Sequence, residues 1–574
     1  MKPRLKTLLK GLVAAGLVLV LLGALEGVLR WTGVGAEPVF KPLADQDGYQ
    51  VLNAAYVQRY FNKDFQPSLA FTPFRTEKTP GSFRVVVLGG SVAAGFPYPF
   101  YLGFPARLQQ RLEAYAVGQP IEVINLGIAN ANSYALWDLK EAVVAQAPDA
   151  VILYTGHNEY YGAFGVGSSI NTLGQAVWMK RLVLRLKRLV LYRTLARLFS
   201  SEPPGSGVPA SRMLSTIDDT DIPFGGKVYQ AGIAQFETNI GEVLRTFQES
   251  GLAVYGGLLV SDLKSQRPVG EGAMADYERA EELLAQGDTL EARAAFVWAK
   301  DRDQVRFRAP EALNEVLSRW AQEGLLTLVD LQPLAVATSL DGVEDEMFFL
   351  DHIHPDHNGY DAIADAFFEV IKTHPVLEGQ GFHRFSEAPI QPIAYERAYA
   401  NLQISSMRTG PVGPGPEKAI ILRSMLGIYL SSRNYLDSLI VRTFMDGLSV
   451  EAALQAALPI ARSQGDTLRA LLLHRSLLHW RPFDEQAIRE AVAFAEAAAD
   501  TSLLPLSEEI MAHAINLRAE AAFLNKLAWV KLKERLPEDA ARLIAMAEAL
   551  DPNAEGLPLI KAQVRAAQQA LTTQ

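Results

Sequence analysis

Three short runs of β-branched and aliphatic residues, each closed by glycine, constrain this chain more than anything else in it. Arg84-Val-Val-Val-Leu88 runs into Gly89-Gly90, Ile121–Asn125 is followed by Gly127, and Ala150–Tyr154 by Gly156. Helical spacing fills the gaps, over Phe104–Tyr115 and Tyr134–Ala145. Apolar runs without alternation are strands covered on both faces, and strand–helix alternation of this kind builds a parallel sheet between helices. Ala253–Val260 and Leu325–Asp330 read as fourth and fifth strands. Tyr360–Ile371 reads as a closing helix with Ile363, Ala364, Phe367, Phe368 and Ile371 on one face. Ligands of such sheets bind beyond the carboxyl ends of the strands, so the loops after the first three strands are expected to meet at one site.

At 574 residues the chain is too long for one core, which implies two or three domains. A net charge of -10 leaves no basic footprint, and no nucleic-acid partner is expected. The absence of cysteine removes disulfides, thiolate nucleophiles, zinc–thiolate sites and lipoprotein-type lipidation together. The compartment is read from the N-terminus. Lys2, Arg4, Lys6 and Lys10 precede an uncharged apolar run from Gly11 to Leu25, and Glu26, Arg30 and Trp31 follow. That run is short for a span of about 20 residues, but extension to Val34 reaches the length if Glu26 and Arg30 sit at the interface. A cleaved signal peptide and an uncleaved anchor compete. Gly33-Val34-Gly35-Ala36 is a weak cleavage site lying far past the apolar run, which favours an anchor over residues 1–34. Either way the basic residues stay in the cytoplasm and the rest is expected on the extracytoplasmic side.

Residues 35–80 carry no periodic signal and read as a connecting segment. Two stretches break the α/β rhythm. Lys180–Phe199 is a basic amphipathic helix, either packed on the core with a solvated basic face or lying on anionic lipid; a Pro/Gly/Ser-rich loop, Ser200–Ser211, follows. In Tyr277–Asp301, Ala280, Leu283, Gly287, Ala292, Phe296 and Ala299 resemble the small and aromatic positions of one tetratricopeptide repeat, here a helical hairpin inserted near residues 270–320. Arg408–Lys418 (RTGPVGPGPEK) marks a linker, placed at 401–417, and everything from 418 to 574 reads helical. There the repeat offsets recur at Gly465, Ala470 and Pro482, with Pro459 spoiling the first helix, and more fully at Leu527, Ala528, Ala540, Ile544, Ala547 and Pro552. An irregular α-bundle is the plain alternative; a repeat domain would offer a concave surface to a protein partner.

Chemistry concentrates at four places. Gly89-Gly90-Ser91-Val-Ala-Ala-Gly95 puts a serine on a sharp turn at the sheet's carboxyl edge, ahead of a helix N-terminus. The alternative, a phosphate-cradling turn, lacks the P-loop lysine and the full GxGxxG spacing. Gly127 can offer a backbone N–H to an anion, or is simply a turn glycine. Asn158, in Gly156-His157-Asn158-Glu159, is an oxyanion donor by type, though a loop asparagine is commonly a turn residue. Asp351-His-Ile-His354 supplies the usual neutral-pH base with an acid three residues earlier to orient it, in the chain order serine, acid, histidine. The competing metal reading, His352, His354 and His357 with Asp351 or Asp356, finds no further ligand set elsewhere. Arg306, Arg308 and His157 attract notice without a role.

Together and in this order, Ser91, Gly127, Asn158 and the pair Asp351 and His354 resemble the four blocks of the SGNH (GDSL-type) hydrolase family, over roughly residues 80–375. Gly90 departs from the acid before the nucleophile, and Glu159 from the acid after the asparagine. The resemblance implies a three-layer αβα sandwich with a parallel, five-stranded, flavodoxin-like sheet, spanning 81–400 with its insertion. It implies ester hydrolysis without metal or cofactor. His354 takes the Ser91 proton while Asp351 holds the imidazole, and an acyl-enzyme forms. The Ser91 and Gly127 N–H groups and the Asn158 side chain stabilise the oxyanion. The expected substrate is an acyl ester, such as an O-acetyl group, of an envelope glycan or lipid. Acyl transfer by the same serine and a non-catalytic scaffold acting through the C-terminal helices are the competing functions.

Overall fold

The computed structural model describes residues 3–33, 35, 37–44, 46–61, 65, 67–116, 119–168, 176–198, 221–377, 391–408, 424, 426–431, 434–499, 502–518 and 520–572. The chain divides into two compact units, 1–96 with 122–367, and 97–121 with 368–574. These bounds differ from the expected 81–400 span.

The first unit is built on a five-stranded sheet whose strands are β4 (Phe83–Gly89), β5 (Ile121–Asn125), β6 (Ala150–Tyr154), β7 (Ala253–Gly257) and β8 (Thr327–Val329). Their order is β5-β4-β6-β7-β8, and the β4/β6, β6/β7 and β7/β8 pairs are parallel. All five are the strands expected from the apolar runs, the last two shorter at their ends. Burial explains the runs: every residue of β4 and of β6 is buried, so neither strand has a water face to alternate with. Helices Ser133–Val144 and Lys227–Glu249 pack together, while Lys227–Glu249 lies against β7 and Glu311–Gln322 against β8. The chain winds one way from β4 to β5 and the other way from β6 onward, which leaves a crevice at the carboxyl ends of β4 and β6.

Residues 35–80 are not merely connecting. Three short strands, β1 (Phe40–Pro42), β2 (Tyr49–Leu52) and β3 (Phe74–Arg75), form an antiparallel sheet. Strands of 3, 4 and 2 residues are too short to display a period. Arg84 ties this sheet to the larger one, donating to Glu122 at 2.6 Å and to the Arg75 carbonyl at 2.9 Å. The expected basic helix is two helices, Val177–Lys187 and Val190–Leu198, with Phe199 and the loop after it outside the described residues. The break falls at Arg188, whose guanidinium reaches Asp138 at 2.7 Å. The inserted hairpin is Met274–Ala285 and Thr289–Arg302, closed over Tyr277, Ala280, Phe296 and Ala299. At the N-terminus, helix Pro3–Trp31 contains a stretch, Leu12–Trp31, long and apolar enough to cross a bilayer.

The second unit is helical. Successive helices from Tyr435 to Thr572 are joined by short turns, as in Ala521–Lys533 and Pro537–Leu550, and their inner faces alternate alanine with larger residues. Leu527, Ala528, Ala540, Ile544 and Ala547 are all buried, while Pro459 lies inside helix Val450–Ser463 rather than ending it. The expected linker begins late. Residues 401–408 belong to helix Ala394–Arg408, and 409–423 lie outside the described residues.

Candidate active site

Ser91 is the first residue of a single helical turn, Ser91–Ala94, that leaves β4 through Gly89-Gly90. The turn is packed too tightly for side chains. A Cβ on Gly90 would lie 2.6 Å from Asn158 Nδ2, and one on Gly127 would lie 2.3 Å from the Ala94 nitrogen. Asn158 follows β6 and is held by donating to the Ala131 carbonyl at 3.2 Å, which leaves its second N–H.

His354 arrives on the loop ahead of helix His357–Ile371. That loop is held by Asp262 N–H to the His352 carbonyl at 3.0 Å and Leu350 N–H to the His354 carbonyl at 2.8 Å. Asp351 organises it from within. One carboxylate oxygen accepts the N–H groups of Ile353 at 2.9 Å and His354 at 2.8 Å, and the other lies 2.8 Å from His354 Nδ1. His354 Nε2 is 2.7 Å from Ser91 Oγ, and all three residues are buried. Burial opposes ionisation of Asp351, but the His354 and His352 rings and the Ile353 N–H outweigh it and hold the carboxyl well below the usual range. With a permanently ionised acid on Nδ1, the proton stays there and Nε2 is left to accept from serine. Both ring nitrogens of His354 are thereby engaged, so the alternative metal set would have to dismantle this line. Among the described residues no group of three or more His, Asp or Glu side chains is placed to hold a metal ion.

Residues 87–362 match the model of the GDSL-like lipase/acylhydrolase family. This region is a GDSL-like acylhydrolase domain. Its chemistry is that of a carboxylic ester hydrolase. Solved structures resembling it include a GDSL-like lipase from Bacteroides thetaiotaomicron, 12% identical over 52% of this chain and 91% of that one, with a TM-score of 0.27. An acetyl xylan esterase is 15% identical over 50% and 100%, with a TM-score of 0.28. The lipase/acylhydrolase from Enterococcus faecalis is 14% identical over 50% and 95%, with a TM-score of 0.26. No curated protein matches the chain.

The structure brings Ser91, Asn158, Asp351 and His354 of the acylhydrolase domain together, and it corrects Gly127. The Gly127 N–H donates to Asn125 Oδ1 at 2.8 Å and is not available as an oxyanion donor; glycine is needed there because the Ala93–Ala94 backbone leaves no room. The departure at Glu159 is structural too. Fully buried, its carboxylate accepts from Ser133 Oγ at 2.7 Å and Ser133 N–H at 3.1 Å, and burial raises its pKa to about 7. Arg306 and Arg308 are buried on carbonyl oxygens rather than facing substrate.

Of two further residues of interest, Asn130 escapes a reading of the sequence and His157 is noted there without a role. Asn130 is buried with φ 62, and both atoms of its amide lack a partner among the described residues. Asparagine is among the few side chains that adopt the left-handed region readily, and Ala129-Asn-Ala-Asn132 just after the second strand is the available signal. His157 lines a small cleft with Ser91, Thr155 and Asn158. Its Nδ1 accepts the Ala309 N–H at 3.3 Å, so its proton sits on Nε2, and burial, with His352 beside it, lowers its pKa to about 3. It is a neutral N–H donor at any working pH.

Proposed function

We propose that this protein hydrolyses a short acyl ester, such as an O-acetyl group, of an envelope glycan or lipid, with Ser91 as nucleophile, His354 as general base and Asp351 as its orienting acid. The observation that carries the reading is the unbroken line Asp351–His354–Ser91 at 2.8 and 2.7 Å. As Ser91 Oγ attacks the ester carbonyl, His354 Nε2 takes its proton. The carbonyl oxygen becomes an anion within reach of the Ser91 N–H and the free N–H of Asn158, donors worth roughly 3–4 kcal/mol each in acyl-transfer sites. His354 then protonates the leaving alkoxide, an acyl-enzyme remains, and water attacks it by the same route in reverse.

The narrow cleft supports a short acyl group. Thr155 and His157 both line it, and their Oγ and Nε2 atoms have no hydrogen-bond partner among the described residues. Leu12–Trp31 anchors the chain in this reading, with Lys2, Arg4, Lys6 and Lys10 on the cytoplasmic side and the acylhydrolase domain outside.

The test is turnover of a short-chain activated acyl ester by the full chain in detergent, with labelling by a serine-directed fluorophosphonate. Labelling and turnover that both vanish in Ser91→Ala, with turnover lost in His354→Ala, are the expected result. Equal background rates in all three chains would remove the proposed relay and leave the helical unit as the working part. Adding a sugar acceptor to the same assay separates hydrolysis from acyl transfer, which needs the identical relay.

A further inference from the structure

The two helices Val177–Lys187 and Val190–Leu198 are built inside out for a protein surface in water. Most of their basic side chains are engaged by the protein, while Arg185 is exposed. Lys180 is fully buried, with Nζ donating to the Phe164 carbonyl at 2.9 Å and to Gln235 at 3.3 Å. Arg181 donates to Asn239 at 2.9 Å and Glu242 at 2.7 Å, and Lys187 to the Arg59 carbonyl at 2.7 Å. Arg188 is bound to Asp138, and Arg193 donates to the Gly35 carbonyl at 2.6 Å and to Glu37 at 3.1 Å. Leu184 and Val190 are buried, but a stripe of large apolar side chains points outward. Trp178 is 66% exposed, and Leu182 and Leu186 extend the same stripe at four-residue steps; Tyr192 and Leu195 do so on the second helix. A helix in contact with water keeps charge outside and carbon inside. Here much of that order is reversed, and the charges of Lys180, Arg181, Lys187, Arg188 and Arg193 are committed to partners that hold the stripe outward.

The same helices are fastened to the apolar N-terminal helix. Glu26, nearly buried on that helix, accepts the N–H groups of Val190 at 3.0 Å and Leu191 at 2.9 Å, so the second amphipathic helix starts on the carboxylate. Glu26 lies five residues before Trp31, where the apolar stretch ends, a rise of about 7.5 Å along a helix. That depth is the boundary between headgroups and acyl chains, where an amphipathic helix buries its apolar face. Exposed Trp31 and Trp178 have the side-chain chemistry of that layer.

We propose that Val177–Lys187 and Val190–Leu198 form a second membrane seat, with Trp178, Leu182, Leu186, Tyr192 and Leu195 resting in the outer-leaflet boundary of the bilayer that Leu12–Trp31 spans. The occupant of the face is lipid. The proposal rests on the anchor reading above, and it adds that the acylhydrolase domain is held down on the membrane surface rather than tethered above it.

The chain has no cysteine, so single cysteines report without background. Spin labels on Val18→Cys, Leu182→Cys, Leu195→Cys and Leu340→Cys of the full chain are compared in vesicles of phosphatidylcholine and phosphatidylglycerol. Collision with oxygen reads lipid, and collision with a soluble nickel chelate reads water. The expected result is an oxygen-to-chelate ratio at 182 and 195 several-fold above that at 340 and comparable to that at 18. A lipid-like ratio at 18 with water-like ratios at 182 and 195 overturns the seat alone. Water-like ratios at 18 as well overturn the anchor reading and the seat with it. Dipolar broadening at 182 and 195 without oxygen access would assign the face to a second copy of the chain and also overturn the seat.

Discussion

Gly90 stands where the family carries an acid before the nucleophile, and the space is taken by the Asn158 amide, 2.6 Å from where a Cβ would be. Restoring the acid should therefore damage the site. Gly90→Asp is expected to displace the Asn158 donor and lower kcat by about 10²–10³, the loss typical of one oxyanion donor, with Asn158→Ala matching it in the same steady-state assay. Asp351→Asn keeps the shape of the loop but removes the charge that fixes the His354 tautomer; kcat should fall by about 10⁴ while fluorophosphonate labelling slows in parallel. Gly127→Ala tests packing instead of catalysis. Its methyl group would meet the Ala94 backbone, so a loss of at least about 2 kcal/mol is expected in urea unfolding. At this scale the sequence makes Ser91, Asn158, Asp351 and His354 legible because each lies where an expected element begins or ends. Asn130 is not legible, nor is the state of His157, since a left-handed backbone and a buried neutral imidazole arise only from what surrounds them.

Between elements, one carboxylate does most of the fastening. Asp138, buried on helix Ser133–Val144, receives the hydroxyl groups of Tyr56 at 3.0 Å and Tyr60 at 2.7 Å, together with the guanidinium groups of Arg59 and Arg188. Two further nitrogens of Arg59 have no hydrogen-bond partner among the described residues, so its buried charge leans on Asp138. Asp138→Ala would strand that cation and is expected to cost about 3–5 kcal/mol in chemical denaturation, more than an exposed ion pair could. Glu26 acts at a helix terminus. Glu26→Ala should leave the overall melt little changed but speed hydrogen exchange at Val190 and Leu191, whose N–H groups lose their acceptor.

In the whole molecule, the helical unit stores neutral histidines. Burial lowers the pKa of His474 and of His513 to about 4 and holds that of His479 well below the usual imidazole value; the His479 ring is stacked on Tyr101 at 4.6 Å. Unfolded, each would titrate near 6.5, so the unfolded chain binds more protons below that pH and stability falls as pH drops from about 6.5 towards 4. Glu508, raised to about 8 by burial, and Glu509, raised in the same way, act oppositely, losing stability as pH rises through their folded values. Three imidazoles against two carboxyls leave the imidazoles ahead. The urea midpoint of the helical signal in far-UV circular dichroism should peak near neutrality and decline on the acid side.

By itself the sequence determined the five strands, the helical C-terminal region, the apolar N-terminal helix and the order of the site residues. Each is written in local patterns, in unbroken apolar runs, glycine stops and period, that hold whatever the rest of the chain does. Only the tertiary structure decided what the patterns face. It committed the Gly127 N–H to Asn125, paired three short strands between Phe40 and Arg75 into a small sheet, broke the basic helix at Arg188 and engaged most of its charges. Those outcomes depend on partners such as Asp138 and Glu26, which are brought to these helices from 50 and 164 residues away, and no local period carries that information.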